Sequence, residues 1–558
     1  MQNPSKANAG AASLSSGTAA IFRQAAAAGR NTLERAELGA VLSSLAIEFD
    51  DGASPSAKSP AVDVRISLNN TREFGMVLSA GLGGLDAELD ESNFRKDRAS
   101  VYAAAELTDA EDFLGLFRRT LAYQKLAGLA KREGLALPDA QLEACFERLL
   151  SLASCYSPGD PGAAFVLRSL ELNPVQVGGR LLVQSAACEF GAPAAGRFDR
   201  PVHKIDKLIH PQSIGIIGVS ASGMNFGRII LRNLMGSGYS KERLTIIRAG
   251  EKEIDGVKCA ESLRSLDHKL DLLIVAVAAS AVYELVDEII ETDAVESVML
   301  IPGSLGETKK SREPAAALAA RINAAHGKEG GGPIFLGANC LGVVSHPGSY
   351  DSWFIPLERL PKPQKKAERN SVMLSQSGAF MITRLSQNPW LDPRYMLALG
   401  NQTDLTHGDM LSYFCERPEI ETIGIYVEGF KDLDGLAFAK AVRRAVLNGK
   451  QVVVYKSGKT APGAAGVMGH TASIAGGATL FESVVRQAGA IVAEDFTSFD
   501  DLFYIAGALQ RKKIHGKRLG AISGAGFEAV GMADSIESDT FAMEMGTLDP
   551  ATVTQVEE

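Results

Sequence analysis

SIGIIGVSASGMNFGRIILRNL, residues 213–234, decides how the chain is read. A run of β-branched and glycine residues, SIGIIGV, has the composition of a strand buried on both faces. A glycine-bearing turn and an apolar-periodic helix follow it directly. Working outward, the same rhythm recurs in RLTIIRA (243–249), LDLLIVAV (270–277), VESVMLIPG (295–303) and PIFLGAN (333–339). Alternating strand and helix predicts a parallel sheet covered on both faces. After a basic, proline-bearing linker, LERLPKPQKKAER (357–369), a second series begins with SVMLSQSG (371–378). It continues through YMLALGN (395–401), TIGIYVEG (422–429), VVVYKSG (452–458) and AIVAEDF (490–496). A third starts at RLGAISGAG (518–526) and has one strand, one helix and a tail, too little to bury a sheet. The expectation is a last domain that another chain completes or that the sequence leaves mid-way.

Upstream of residue 201 the pattern differs. Residues 1–20 read as an Ala/Ser/Gly tail, and Gly29–Leu45 as a helix with Asn31 or Thr32 near its cap. Gly52–Pro60 reads as a linker. VDVRISL (62–68) and FGMVLSAGLGG (74–84), joined by NNTRE, form an expected hairpin. Helical stretches run to about Ser154. LRSLELNPVQVGGRLLVQSAACEF (167–190) closes the region as strand–turn–strand, with Gly178-Gly179 at the turn.

Composition narrows the function classes. The 558 residues fit roughly three to five domains of ~100–200 residues each. Lys+Arg total 57 against 66 Asp+Glu, a net charge of −9, without the basic excess of a phosphate-backbone binder, so nucleic acid is not an expected partner. The six cysteines show no CxxC and no zinc-site spacing, as in a reducing, cytoplasmic setting. No stretch reads as a membrane span or a signal peptide, and no membrane partner is expected.

Five motifs could carry chemistry. GVSASGMNFG (218–227) can face a phosphate with helix N-terminal N–H groups, although strand–Gly–helix junctions also arise for packing alone. An NAD reading wants an acidic residue about 20 positions on. Arg248 stands there instead, which leaves an NADP-dependent oxidoreductase as the last-ranked alternative. GANCLG (337–342) is a loop at a strand's C-terminal edge, or a glycine turn with a buried thiol. Ser375, Gln376, Ser377 and Gly378 suit capping and anion binding. GVMGHTASIAGG (466–477) places His470 in a loop of small residues, where an imidazole can act as nucleophile or base. Glu428, at a strand end, can orient such an imidazole. Ser523, Gly524, Ala525 and Gly526 form another strand–Gly–helix junction.

In this order the motifs resemble the NDP-forming acyl-CoA synthetases, the superfamily of succinyl-CoA synthetase and ADP-forming acetate–CoA ligase, from about Lys207 to Asp534. The resemblance implies a multidomain α/β protein. A Rossmann-like CoA-binding domain (201–350) is followed by a flavodoxin-like ligase domain (371–510) and the start of a second one (515–558). A tail and helix (1–54) and a partial ATP-grasp-like α+β region (55–200) precede them. Gly218, Ser220, Ser222, Asn225, Gly227, Asn339 and Cys340 correspond to CoA contacts. His470 corresponds to the transiently phosphorylated histidine and Glu428 to the glutamate that steadies it. Ser375–Gly378 and Ser523–Gly526 correspond to the two helix N-termini that hold the phosphohistidine. Two such termini, each worth roughly half a positive charge, can stabilise its two negative charges.

The implied reaction is acyl-CoA + phosphate + NDP ⇌ carboxylic acid + CoA + NTP, through acyl-phosphate and phosphohistidine. Its cofactors are CoA and, for the nucleotide half, ATP/ADP and Mg²⁺. Asn173 matches one of the family's magnesium ligands, whereas Ser185 stands where an aspartate is expected and is a poor substitute for it. Ala278 stands where the family usually has proline. These departures predict that the chain does not use ATP unaided. A homo-oligomer, or a hetero-oligomer with a nucleotide-binding subunit, is expected. The alternative is a non-catalytic CoA- or acyl-CoA-binding scaffold or regulatory subunit.

Overall fold

The computed structural model describes residues 17–50, 62–84, 86, 96–160, 162–177, 180–194, 196–360, 362, 369–471, 477–537 and 541–557. The expected N-terminal tail up to residue 16, the Gly52–Pro60 linker and the Gly178-Gly179 turn lie outside them. The chain forms two compact units, 1–507 and 508–558.

The first unit opens with an antiparallel sheet of β1 (Val64–Thr71), β2 (Gly75–Leu82), β3 (Ser100–Ala104), β4 (Val166–Val177) and β5 (Arg180–Gly191), in the order β3-β2-β1-β4-β5. The hairpins expected at 62–84 and 167–190 are both present. Alternation along β2 divides its residues between two cores. Met76, Leu78 and Ala80 pack with Phe113, Phe117 and Phe146 of the helices between β3 and β4. Val77 instead joins the core of the later domains. Two expectations are corrected. Residues 17–27 form a helix, so 17–20 do not belong to the tail expected there. The helix expected within Gly29–Leu45 is Arg35–Ser44, the second among the described residues, capped by Glu34 in a capping box with Glu37, not by Asn31 or Thr32. Those two residues are tied to β5: the Asn31 carbonyl accepts from the Phe190 N–H and Thr32 bridges Glu189.

The second sheet contains β6 (Ile214–Ile217), β7 (Leu244–Ile247), β8 (Glu253–Ile254), β9 (Val257–Ala260), β10 (Leu270–Val275), β11 (Val295–Leu300) and β12 (Ile334–Gly337). Its order is β12-β11-β10-β6-β7-β9-β8, and the five strands read from the sequence pair in parallel. The strand order reverses beside β6, so the turn at Gly218 lies where doubly wound sheets take their ligands.

The third sheet adds β13 (Val343–Ser345), β14 (Tyr350–Asp351), β15 (Ser371–Ser375), β16 (Tyr395–Ala398), β17 (Thr422–Val427), β18 (Gln451–Lys456) and β19 (Ile491–Ala493). The core order, β16-β15-β17-β18-β19, is parallel and flavodoxin-like, and its switch point lies between β15 and β17. The short strands β13 and β14 precede the basic linker, yet they join this sheet: β13 pairs antiparallel with β16 and covers its edge.

The second unit has two short parallel strands, β20 (Arg518–Leu519) and β21 (Glu544–Met545), with helices Gly526–Asp534 and Pro550–Glu557. Ile522, Phe527 and Val530 are exposed in it. Among the described residues no helix is long and apolar enough to cross a membrane.

Candidate active site

Three strand ends of the third sheet converge. At the end of β15, the Ser375 hydroxyl donates to the Ser377 carbonyl at 2.6 Å and accepts from the Ser377 N–H at 3.2 Å. Ser377 then caps the helix Gly378–Gln387 through the Phe380 N–H. Gly378 is required by close approach: a Cβ there would lie 2.6 Å from the Leu341 Cβ. Leu341 belongs to the GANCLG loop of the preceding domain, so the proposed phosphate turn and the proposed CoA loop touch.

At the end of β17 stands Glu428, a carboxylate only 3% exposed, whose Oε1 accepts from the Tyr426 hydroxyl at 3.2 Å. Gln376 ties β15 to β17. Its Oε1 accepts from the Glu428 N–H (2.8 Å) and the Gly429 N–H (3.2 Å), and its own N–H donates to the Tyr426 carbonyl. That carboxamide oxygen is thus committed to holding the strand end. Behind it, the buried His407 ring lies 2.9 Å from Gln402 Oε1 and 3.1 Å from the Tyr426 carbonyl. Burial pushes its pKa down to about 3, so the ring stays neutral.

At the end of β18, the fully buried Lys456 ammonium donates to the Glu428 carbonyl (2.8 Å) and the Ser457 carbonyl (2.7 Å). Burial pulls its pKa down to about 8, while Glu73 and Glu428 support the charge and Lys459 opposes it. Sequence reading missed Lys456, Gln402, His407 and Glu73. Only Lys456 left a signal, a charge closing the apolar run VVVY.

The chain following β18 forms a helix, Ala461–Thr471, so the backbone at His470 is helical where a loop was expected. The His470 side chain, and Ala472–Gly476 of the same motif, lie outside the described residues. In the second unit, the Ser523 hydroxyl donates to the Ala525 carbonyl and accepts from the Ala525 N–H, the same local geometry as Ser375 with Ser377.

In the second sheet, Gly218 adopts φ +98°, and a Cβ there would lie 2.3 Å from the Ala276 carbonyl oxygen. Asn225 shapes the turn and caps the next helix. Its Oδ1 accepts from the Ser220 and Arg228 N–H groups, and its amide donates to the Gly218 carbonyl. Arg248 donates to the Val219 carbonyl from the neighbouring strand. Ser222, Met224 and Phe226 remain exposed at the turn, so polar and apolar groups both face the space at this switch point, which suits a ligand such as CoA. The Cys340 thiol is buried, donates to the Leu300 carbonyl and is pushed up to about 12 by burial, so this side chain is not offered to a ligand. Asn339 adopts φ +53°, and its N–H donates to the Pro302 carbonyl. Ala278 has φ −66°, the value proline would impose.

A magnesium ion fits poorly at the proposed position. Asn173 and Ser185 are cross-strand partners, and the Asn173 amide donates to the Ser185 hydroxyl at 3.1 Å. No cluster of three His, Cys, Asp or Glu residues able to hold a metal occurs among the described residues.

Comparison with known proteins places these domains. The family described as "CoA binding domain" matches residues 212–346, and "Succinyl-CoA ligase like flavodoxin domain" matches residues 368–508. An "Acetate--CoA ligase [ADP-forming] II subunit alpha" of Pyrococcus furiosus is 25% identical over 63% of this chain and 72% of its own length. An "Acetate--CoA ligase [ADP-forming] II" of Archaeoglobus fulgidus is 26% identical over 85% of this chain, a match that spans 65% of that relative. Among solved structures, a "dinucleotide forming Acetyl-coenzyme A synthetase 1" of Ca. Korarchaeum cryptofilum superposes with TM-score 0.53 at 25% identity, covering 63% of this chain and 72% of the other.

Proposed function

We propose that this chain, which belongs to the NDP-forming acyl-CoA synthetase superfamily, is an acid–CoA ligase component that carries the acyl-CoA and phosphohistidine half of the reaction. The observation that carries this reading is the convergence of the Ser375–Gly378 turn, the buried Glu428 carboxylate and Lys456 at the switch point of the third sheet. In the proposed sequence a phosphate oxygen attacks the acyl carbon, the thioester C–S bond breaks and CoA leaves as the thiol. An imidazole nitrogen of His470 then attacks phosphorus and releases the carboxylate. The N-terminus of helix Gly378–Gln387 favours the phosphoryl charge. Glu428 holds the imidazole tautomer. Gly218, Ser220, Ser222, Asn225, Gly227 and the backbone at Asn339 and Cys340 take CoA.

The domain division is part of the proposal: 1–54, 55–200, 201–350, 371–510 and 515–558. So is the nucleotide half, which a partner chain supplies. The neutral Asn173–Ser185 pair supports this, as does the relative named as an alpha subunit. All six cysteines are unbridged, in keeping with the proposed cytoplasmic setting. Ser185 also favours a second reading, a CoA-binding scaffold without catalysis.

Glu428→Gln separates the two. Under the ligase reading it slows phosphate transfer from acyl-phosphate to the chain by about 10²-fold or more, the range for a positioned acid–base group, and leaves CoA affinity unchanged. An unchanged transfer rate refutes the role given to Glu428, and absent transfer in the wild-type chain with CoA bound selects the scaffold.

A further inference from the structure

We propose that Arg72 and Glu73, at the tip of the β1–β2 hairpin, are positioning residues for Glu428. They act by holding the Phe430 backbone, two residues after Glu428, from a different part of the fold than the flavodoxin-like domain itself. The inference rests on the reading of Glu428 given above.

Glu73 is a carboxylate only 5% exposed. Its Oε1 accepts from the Phe430 N–H at 3.3 Å, and the Arg72 guanidinium donates to the Phe430 carbonyl at 2.7 Å. The tip is anchored by backbone as well: the Leu433 N–H donates to the Arg72 carbonyl and the Leu436 N–H to the Glu73 carbonyl. Phe74 seats the hairpin edge-on against Phe430 (centroids 5.9 Å apart) and Phe481 (6.4 Å). Three consecutive N–H groups after β17 are therefore held by side chains from two elements. Gln376 takes those of Glu428 and Gly429, and Glu73 takes that of Phe430.

An apolar tip would fill the same space without the cost of desolvating a carboxylate. What the carboxylate provides is a fixed acceptor for the strand-end backbone and a countercharge facing Lys456, the residue that holds the Glu428 carbonyl. Its charged neighbours are Arg72 and Lys456. The hairpin thus connects the N-terminal region to the carboxylate of the proposed phosphohistidine site, and a shift of the hairpin withdraws one of the groups that fix the loop.

The test uses the full chain with Glu73→Ala, Glu73→Gln and Arg72→Ala. Two readouts are taken: amide hydrogen exchange of the peptide spanning Tyr426–Lys431, and labelling of the chain by radiolabelled phosphate with a short acyl-CoA. Glu73→Ala leaves the Phe430 N–H without its acceptor, so exchange in that peptide rises about tenfold. The labelling rate falls about 10- to 100-fold, as for a displaced catalytic group, with CoA affinity unchanged. Glu73→Gln retains an oxygen acceptor but not the countercharge to Lys456, so it restores the exchange pattern and recovers the labelling rate in part. Arg72→Ala, which removes a partly exposed side chain and its bond to the Phe430 carbonyl, loosens the same peptide. Unchanged exchange in Glu73→Ala and Arg72→Ala overturns the proposal. So does faster exchange with an unchanged labelling rate, or a Gln variant as impaired as the Ala variant. If the wild-type chain takes no label while the exchange pattern holds, the ligase reading falls and the backbone clamp stands.

Discussion

Replacing Gly378 with alanine tests the contact between the proposed phosphate turn and the proposed CoA loop. The new Cβ would sit 2.6 Å from the Leu341 Cβ, 3.3 Å from its Cδ2 and 3.4 Å from its Cγ. Carbon atoms prefer about 3.5–4.0 Å, so either the helix Gly378–Gln387 or the GANCLG loop must move by roughly 1 Å. Overpacking of this kind costs about 1–3 kcal/mol. Stability therefore falls modestly, whereas a displacement of ~1 Å at a reacting centre is worth about 10²-fold in rate. The expected result is a labelling rate from phosphate and acyl-CoA lowered by about two orders of magnitude, with the chain still folded by circular dichroism. Because the nearest atom is a Cβ, Leu341→Ala in the same background does not rescue the rate, whereas Leu341→Gly does. A Gly378→Ala rate within about twofold of wild type would refute the argument, since it would mean that the two loops yield without disturbing the chemistry.

Three further outcomes are expected. Arg200 contacts Asp404 (3.4 Å), Asp409 (3.0 Å) and Asp434 (3.5 Å), and Arg200→Leu removes the cation these three carboxylates share. A loss of about 3–5 kcal/mol in protection is predicted for the helix His407–Cys415 by native-state hydrogen exchange, and a loss below ~1 kcal/mol would contradict it. For His326, burial opposes the charge, but the hydrogen bond and charge of Asp404 and the Gly331 carbonyl outweigh burial and Arg200, and the pKa is raised above 6.5. Its stabilisation is thus fully present below pH 6.5 and is lost as pH rises through the folded value. The thermal-midpoint gap between wild type and His326→Gln should narrow from about pH 6 to pH 9. Ser185→Asp places a carboxylate beside Asn173 yet should confer no ATP-dependent labelling on this chain alone; labelling from ATP would overturn the partner-supplied nucleotide half.

The parallel strands were legible because a strand buried on both faces must be a continuous apolar run, as in LDLLIVAV and TIGIYV. The turns at Gly218 and Ser375–Gly378 were legible because a switch-point turn needs small or capping residues there. β13 and β14 were not, since the three residues of β13 are defined by a partner, β16, some fifty positions away in the sequence, and the two of β14 pair only with β13. Nor was the Glu34 cap, because the residues chosen in its place are occupied by β5. The charged groups behind the site hid for a different reason. Glu73 and Arg200 read as surface residues in one dimension, and only the tertiary fold shows each facing its opposite charge or a backbone polar group. His470 was legible as a residue type in a small-residue motif, but the helix that carries it was not, because Gly466 and Gly469 argue against helix.

The central claim is that this chain forms a phosphohistidine from acyl-CoA and phosphate without a nucleotide. The direct measurement is to incubate the full chain with radiolabelled phosphate and a panel of short acyl-CoAs, and to map acid-labile label by peptide sequencing. The account predicts label on His470 that appears with at least one acyl-CoA and is absent from His470→Ala, whose CoA affinity is unchanged. No label in a chain that binds CoA, or label that persists in His470→Ala, would contradict it.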